Sequence, residues 1–149
     1  MGITSSNKQV SAASLDCDGT LKVTLAMSAS PDIAENPTDI LLVLDRSGSM
    51  AGAPMAAMKA GAKAFLDILD QATDGAADGH IGGGSGIGVV SFADAATTDI
   101  ALVTSVSALK SAVDGLSAVG DTNHADAFSR AMSLFDPLSS NAKAIVLFT

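Results

Sequence analysis

The stretch "DILLVLD", residues 39–45, constrains this chain more than any other. A strand with one face in water alternates apolar and polar residues with period two. Ile40–Leu44 does not alternate: it is the longest unbroken run of large apolar side chains in the sequence, closed by Asp45. Such a run must be covered on both faces, which is the situation of a strand inside a parallel sheet flanked by helices. It falls far short of the roughly 20 residues needed to cross a bilayer.

The remaining pattern supports two covering layers. A helix is expected from Pro54 to about Leu69, since proline suits the first helical position. Met58, Ala62, Phe65, Leu66 and Leu69 form its apolar face, with Lys59, Lys63, Asp67 and Asp70 turned away. The glycine-rich stretch 73–86 reads as a flexible loop. It is no phosphate cradle, because no Gly-Lys-Ser/Thr follows and a strand comes next. Buried strands are expected at 87–93, 98–105 and 142–149, and helices at 106–116 and 125–135, with a loop at 119–125. Strands alternating with helices predict an α/β fold: a doubly wound, mostly parallel sheet with helices on both faces.

Residues 20–28 differ, since Leu21, Val23, Leu25 and Met27 alternate with polar or small residues. That is a half-buried strand. "QVSAASL" upstream is its expected hairpin partner, with "DCDG" in the turn. The chain therefore divides into a β-hairpin segment and linker at 1–37 and an α/β domain over 38–149. With 149 residues there is room for one real core. Apolar residues make up 48% of the chain, yet Trp and Tyr are absent, so Ala, Leu, Val, Met and Phe must build that core.

Charge excludes one class of partner. The net charge of −8 comes from 16 acids and 8 bases, and no Lys/Arg cluster offers a phosphate backbone a landing site. Nucleic acid is thus not expected. The lone Cys17 cannot form an internal disulfide and leaves the redox compartment open. No basic-then-apolar signal segment opens the sequence, which says little about compartment.

Two aspartate motifs compete for the chemistry. Asp16-Cys17-Asp18-Gly19-Thr20 has the form in which haloacid-dehalogenase-like phosphatases present their nucleophile. That chemistry needs a rigid buried strand ending at Asp16, whereas "KQVSAAS" is small and polar. Asp16 and Asp18 read better as turn acids; phosphatase activity at Asp16 is the enzymatic alternative. "DRSGSM" meets the requirement, because Asp45 leaves the apolar run directly. Asp45, Ser47 and Ser49 alternate, so an extended loop could bring their oxygens to one point. One carboxylate and two hydroxyls select a hard cation. A helix-capping cluster is the competing reading of the same residues.

Asp45-x-Ser47-x-Ser49 after an apolar strand, with Thr122-Asn123 in a later loop before a helix, resembles the von Willebrand factor A domain. The likeness spans about residues 38–149 and includes the order of strands and helices. It implies a metal-ion-dependent adhesion site in which Ser47, Ser49 and Thr122 give hydroxyl oxygens to Mg²⁺ (or Mn²⁺ or Ca²⁺). Asp45 would act directly or through water, and Asn123 would brace the loop. Asp121 departs from the small or apolar residue common there and reads as a surface-loop acid, with added negative charge behind the ligands as the alternative. His124 would open the next helix, and Arg46 would be solvated. The implied function is binding rather than catalysis. The implied partner is a protein, whether host, matrix or sister subunit, that offers an acidic residue to the ion. The implied location is extracellular, on a bacterial cell surface.

The family also carries an aspartate in a "TDG" run directly after the fourth strand, and Thr149 stands where that run would begin. The expectation is that the polypeptide continues, or that another chain supplies the missing strands in a complemented fold.

Overall fold

The computed structural model describes the main chain of two strands, β1 (Gly2–Val10) and β2 (Val23–Ser30), and residues 36–149. The chain forms two compact units, 1–35 and 36–149. In the first, β1 and β2 pair antiparallel from Gly2–Ser30 to Val10–Val23, with a bulge between Ile3 and Ser5. The partner strand is 2–10, which includes Gln9 and Val10 of the expected "QVSAASL"; the rest of that stretch lies outside the described residues. Ladder bonds run main chain to main chain and demand no apolar alternation, so a polar run can serve. The expected "DCDG" turn, with Asp16 and Asp18, lies outside the described residues.

In the second unit the elements run β3 (Thr38–Asp45), α1 (Ala53–Asp74), β4 (Gly86–Phe92), β5 (Ala96–Val103), α2 (Val106–Asp114), α3 (His124–Leu134) and β6 (Ala142–Phe148). The sheet order is β5-β4-β3-β6. β3 pairs parallel with both β4 and β6, and β5 runs antiparallel beside β4. The mixed α/β sheet matches the expected class.

β3 is central because its residues leave no alternative. Leu41, Leu42, Val43 and Leu44 are all fully buried. Leu42 and Leu44 join a core with α1 and α2, including Met58, Leu66, Val89 and Leu109. Leu41 and Val43 join a second core on the opposite face with Val90, Phe92 and the α3 residues Ala127 and Ala131. Each such side chain stabilises the fold by about 1.5–3 kcal/mol relative to exposure. From β3 the chain winds out to β4 on one side and returns to β6 on the other. Asp45 thus ends the strand at which the winding reverses, where open α/β sheets form their crevice.

Several expectations need correction. β5 is not a buried strand, since it alternates toward water at one edge; β6, read as internal in a complete sheet, has β3 as its one neighbour among the described residues and is exposed to half-buried there. Apolar composition does not reveal which strand lies at an edge. α1 continues past Leu69 to Asp74, because no breaker intervenes before Gly75, which ends it with φ +82°. Asp70 faces inward rather than to solvent, buried where its Oδ2 accepts the Gly79 amide at 3.0 Å. The glycine-rich loop is pinned rather than free. Ile81 is buried and donates to Thr104 O, while Gly79 O accepts from Val106 N.

These cores predict unequal costs for similar truncations. Leu42→Ala should lower unfolding free energy by about 3 kcal/mol. Ile68→Ala, on the exposed side of α1, should cost under about 0.5 kcal/mol. Urea unfolding of both variants checks this; similar losses would contradict the burial described.

Candidate metal centre

Past Asp45 the main chain stays beside β4 for one more residue, with Arg46 N donating to Phe92 O at 2.9 Å. It then turns. Ser47 N donates to Asp45 Oδ1 at 2.8 Å. Gly48–Met50 make one 3-10 turn, closed by Met50 N to Ser47 O and Ala51 N to Gly48 O. The loop is thus a tight turn and not the extended segment expected. Buried Met50 anchors it in the α1 side of the core. The turn still brings the hydroxyls together, with Ser47 Oγ and Ser49 Oγ 3.1 Å apart.

A second loop, 119–123, is stitched to the first through main-chain bonds. Val119 N donates to Arg46 O at 2.7 Å, and Gly48 N to Gly120 O at 2.8 Å. A third loop, between β4 and β5, braces the second. Asp94 Oδ1 accepts Asp121 N at 2.8 Å, and Ala93 O accepts Asn123 N at 2.8 Å. Thr122 lies between those two anchored residues, exposed to solvent. Asn123 spends its remaining groups on structure. Its Nδ2 donates to Asp94 O, and its Oδ1 accepts Asp126 N at the start of α3. The Asp121 side chain stands in solvent. His124 opens α3, with its ring centroid 5.1 Å from that of Phe92.

Two contributors are not evident from the motif pattern. Asp94, in a short strand-to-strand turn, organises the Thr122 loop through main-chain groups, which leave no mark beyond an ordinary turn acid. Thr149 donates its hydroxyl to Asp45 Oδ2 at 2.9 Å. The sequence signal for that contact is its place at the end of β6, where the family's "TDG" run would begin.

The site divides into a buried part and an open part. Asp45 is 3% exposed and Ser47 1%, whereas Ser49 and Thr122 face water. Burial pushes the Asp45 carboxyl up, but Ser47 through its hydroxyl and amide, the Thr149 hydroxyl and the charge of His124 outweigh it. The net result holds Asp45 below the usual carboxylate value, as an anion. Its Oδ1 accepts from Ser47 N and its Oδ2 from the Thr149 hydroxyl. Among the described residues no three His, Cys, Asp or Glu side chains cluster, so hydroxyls must complete any donor set. An all-oxygen set with a single carboxylate fits a hard divalent cation and not a thiolate- or imidazole-seeking one.

Comparison with known proteins bears on the fold and the family. The sequence model of the von Willebrand factor type A domain matches residues 40–149. Among solved structures, the vWF domain of the type V pili tip protein Mfa5 from Porphyromonas gingivalis is similar in fold. Its TM-score is 0.64 at 21% identity, over 76% of this chain and 37% of that one. A von Willebrand factor type A protein from Catenulispora acidiphila gives 0.60 at 26% identity, over 83% of this chain and 27% of that one. Proximal thread matrix protein 1 from the mussel byssus, described with a zinc-occupied MIDAS motif, gives 0.61 at 25% identity. That match covers 75% of this chain and 28% of the mussel chain. This chain therefore spans well under half the length of each. No curated protein matches the sequence.

The stitching puts unusual weight on Gly120. Its φ is +69°, and a Cβ there would lie 2.3 Å from Asp94 Oδ2. Gly120→Ala should therefore destabilise the protein by more than about 1 kcal/mol. Gly115→Ala, at φ −71° with its nearest neighbour 3.5 Å away, should be nearly neutral. Thermal unfolding of the two variants tests the contrast, and equal melting points would refute it.

Proposed function

Because the chain belongs to the von Willebrand factor type A domain family, whose members are commonly metal-dependent adhesion or protein-interaction modules, we propose that residues 38–149 form such a binding domain. In this reading 1–37 is a separate β segment. Ser47, Ser49 and Thr122 ligate Mg²⁺, or Mn²⁺ or Ca²⁺ in its place. Asp45 binds directly or through water, and Asn123 and Asp121 stand behind the ligands. The observation that carries the reading is the convergence at the end of the central strand. A buried, anionic Asp45 sits beside two serine hydroxyls 3.1 Å apart, and the loop bearing Thr122 is hydrogen-bonded against them.

A cation held by neutral hydroxyls keeps most of its charge and can exchange a bound water for a carboxylate oxygen of a partner. The chain's own residues perform three tasks. Asp45 supplies the one fixed negative charge. Ser47 and Ser49 set the position, and Thr122 brings the second loop into register. The partner is a protein with an exposed acidic residue, of host, matrix or sister-subunit origin. The acidic net charge disfavours nucleic acid. An extracellular location on a bacterial surface is supported by the likeness to a pilus tip protein. Among the described residues no helix is long and apolar enough to cross a membrane.

Thermal unfolding with and without Mg²⁺ or Mn²⁺ tests the site. An ion that binds only the native state stabilises it by about 2.7 kcal/mol when present at 100 times Kd. The wild type should gain stability with added ion, and Asp45→Ala should gain none. An equal gain in both proteins would move the ion elsewhere. No gain in either would overturn the metal reading.

A further inference from the structure

Arg46 stands between the first two proposed ligands, Asp45 and Ser47, where a guanidinium would repel a divalent cation well within a Debye length of about 8 Å. The structure gives its side chain another place to go. Main-chain bonds fix Arg46 on both sides, through its N to Phe92 O and its O from Val119 N. Its side chain lines a cleft of about 170 Å³ beside the sheet edge, together with Ser91, Thr97, Asp99 and the turn Gly115–Ser117 after α2.

Asp99 reaches that cleft through a defect in the ladder. Thr98 pairs with Val90 and Ile100 with Val89, so Asp99 is an extra residue with no partner on β4. Bulges of this kind re-aim a side chain. Asp99 as a residue is exposed on the edge strand, yet burial of its carboxyl raises its pKa. Ser91, through hydroxyl and amide, and the charge of Arg46 hold that rise back. The Ser91 hydroxyl is fully buried and makes no hydrogen bond of standard geometry. Among the described residues neither Arg46 nor Asp99 is in a salt bridge; the two share the cleft lining, and the charge of Arg46 acts on the Asp99 carboxyl through space.

We infer that Asp99 is a positioning residue that holds the Arg46 guanidinium in this side cleft, away from the cation position. A loop carrying an arginine between two ligands can then still take a divalent ion. The inference rests on the metal reading given above. It differs from a simple field effect in one respect. If Asp99 merely adds negative charge near the ion, its removal weakens binding equally whether or not Arg46 is present. If it restrains Arg46, its removal matters only while there is an arginine to release.

Mn²⁺ titration by isothermal calorimetry of the full chain decides between these, with Arg46→Ala, Asp99→Asn and the double variant in one cycle. Asp99→Asn should weaken Mn²⁺ binding by about fivefold or more when Arg46 is present, and by less than about twofold in the Arg46→Ala background. Arg46→Ala alone should bind Mn²⁺ at least as tightly as the wild type, an outcome a purely structural role would not produce. Asp99→Ser serves as a second variant should Asp99→Asn fold poorly. Equal losses in the two backgrounds, with a wild type that binds, would overturn this inference and leave the metal reading intact. A well-folded wild type that binds no Mn²⁺ would overturn both.

Discussion

Two main-chain hydrogen bonds, from Val119 N to Arg46 O and from Gly48 N to Gly120 O, hold together everything distinctive at the carboxyl edge of this sheet. They join loops far apart in sequence without using a side chain. Their placement leaves the hydroxyls of Ser47, Ser49 and Thr122 free for other work. They also explain a constraint that is otherwise isolated. Gly48 and Gly120 face each other so closely that a Cβ on Gly48 would sit 3.2 Å from Gly120 O. A side chain at Gly48 would press on the Gly120 carbonyl, and one at Gly120 on the Asp94 carboxylate.

Rigidity reaches that edge from below. β3 is buried on both faces, so Asp45 is delivered at a fixed height by residues that cannot slip without exposing one of two cores. The far ends of the helices are tied in the same spirit. Lys59 donates to the carbonyls of Asp114 and Leu116 at the end of α2. Lys63 pairs with Asp114 at 2.7 Å and holds that carboxyl below its ordinary value. These contacts lie on the surface, where an ion pair contributes little on its own. Their value is in fixing the α2 end, from which the Val119–Asn123 loop departs.

What the sequence disclosed follows the same hierarchy. The central strand, the α1 core face at Met58, Ala62 and Leu66, and the placement of Asp45 at a strand end were legible because burial writes itself as periodicity. Edges were not. β5 is apolar enough to read as buried, and only the strand order shows that it borders one neighbour. Nor did periodicity disclose Asp70, whose burial is stabilised by an amide nine residues away. Asp94 was hidden for a related reason. It acts across the fold on a loop, through contacts that any turn acid could make. Thr122 stood out through its likeness to a known pattern; the main-chain bonds that hold its loop have no sequence signature.

The division between a buried carboxylate and open hydroxyls has a consequence for how such an edge can work. Asp45 and Ser47 gain nothing in mobility when an ion arrives, because the fold has already fixed them. Ser49 and Thr122 are exposed and sit on different loops, so an ion that engages both ties those loops more tightly than their two hydrogen bonds do. Ordering that the fold leaves undone must be supplied by binding, and it subtracts from affinity. Keeping the charge fixed and only the neutral donors adaptable limits that cost to two short side chains. In the proposed metal reading, it also makes the geometry of the 119–123 loop the variable through which affinity for an ion, and through the ion for a partner's carboxylate, would be tuned.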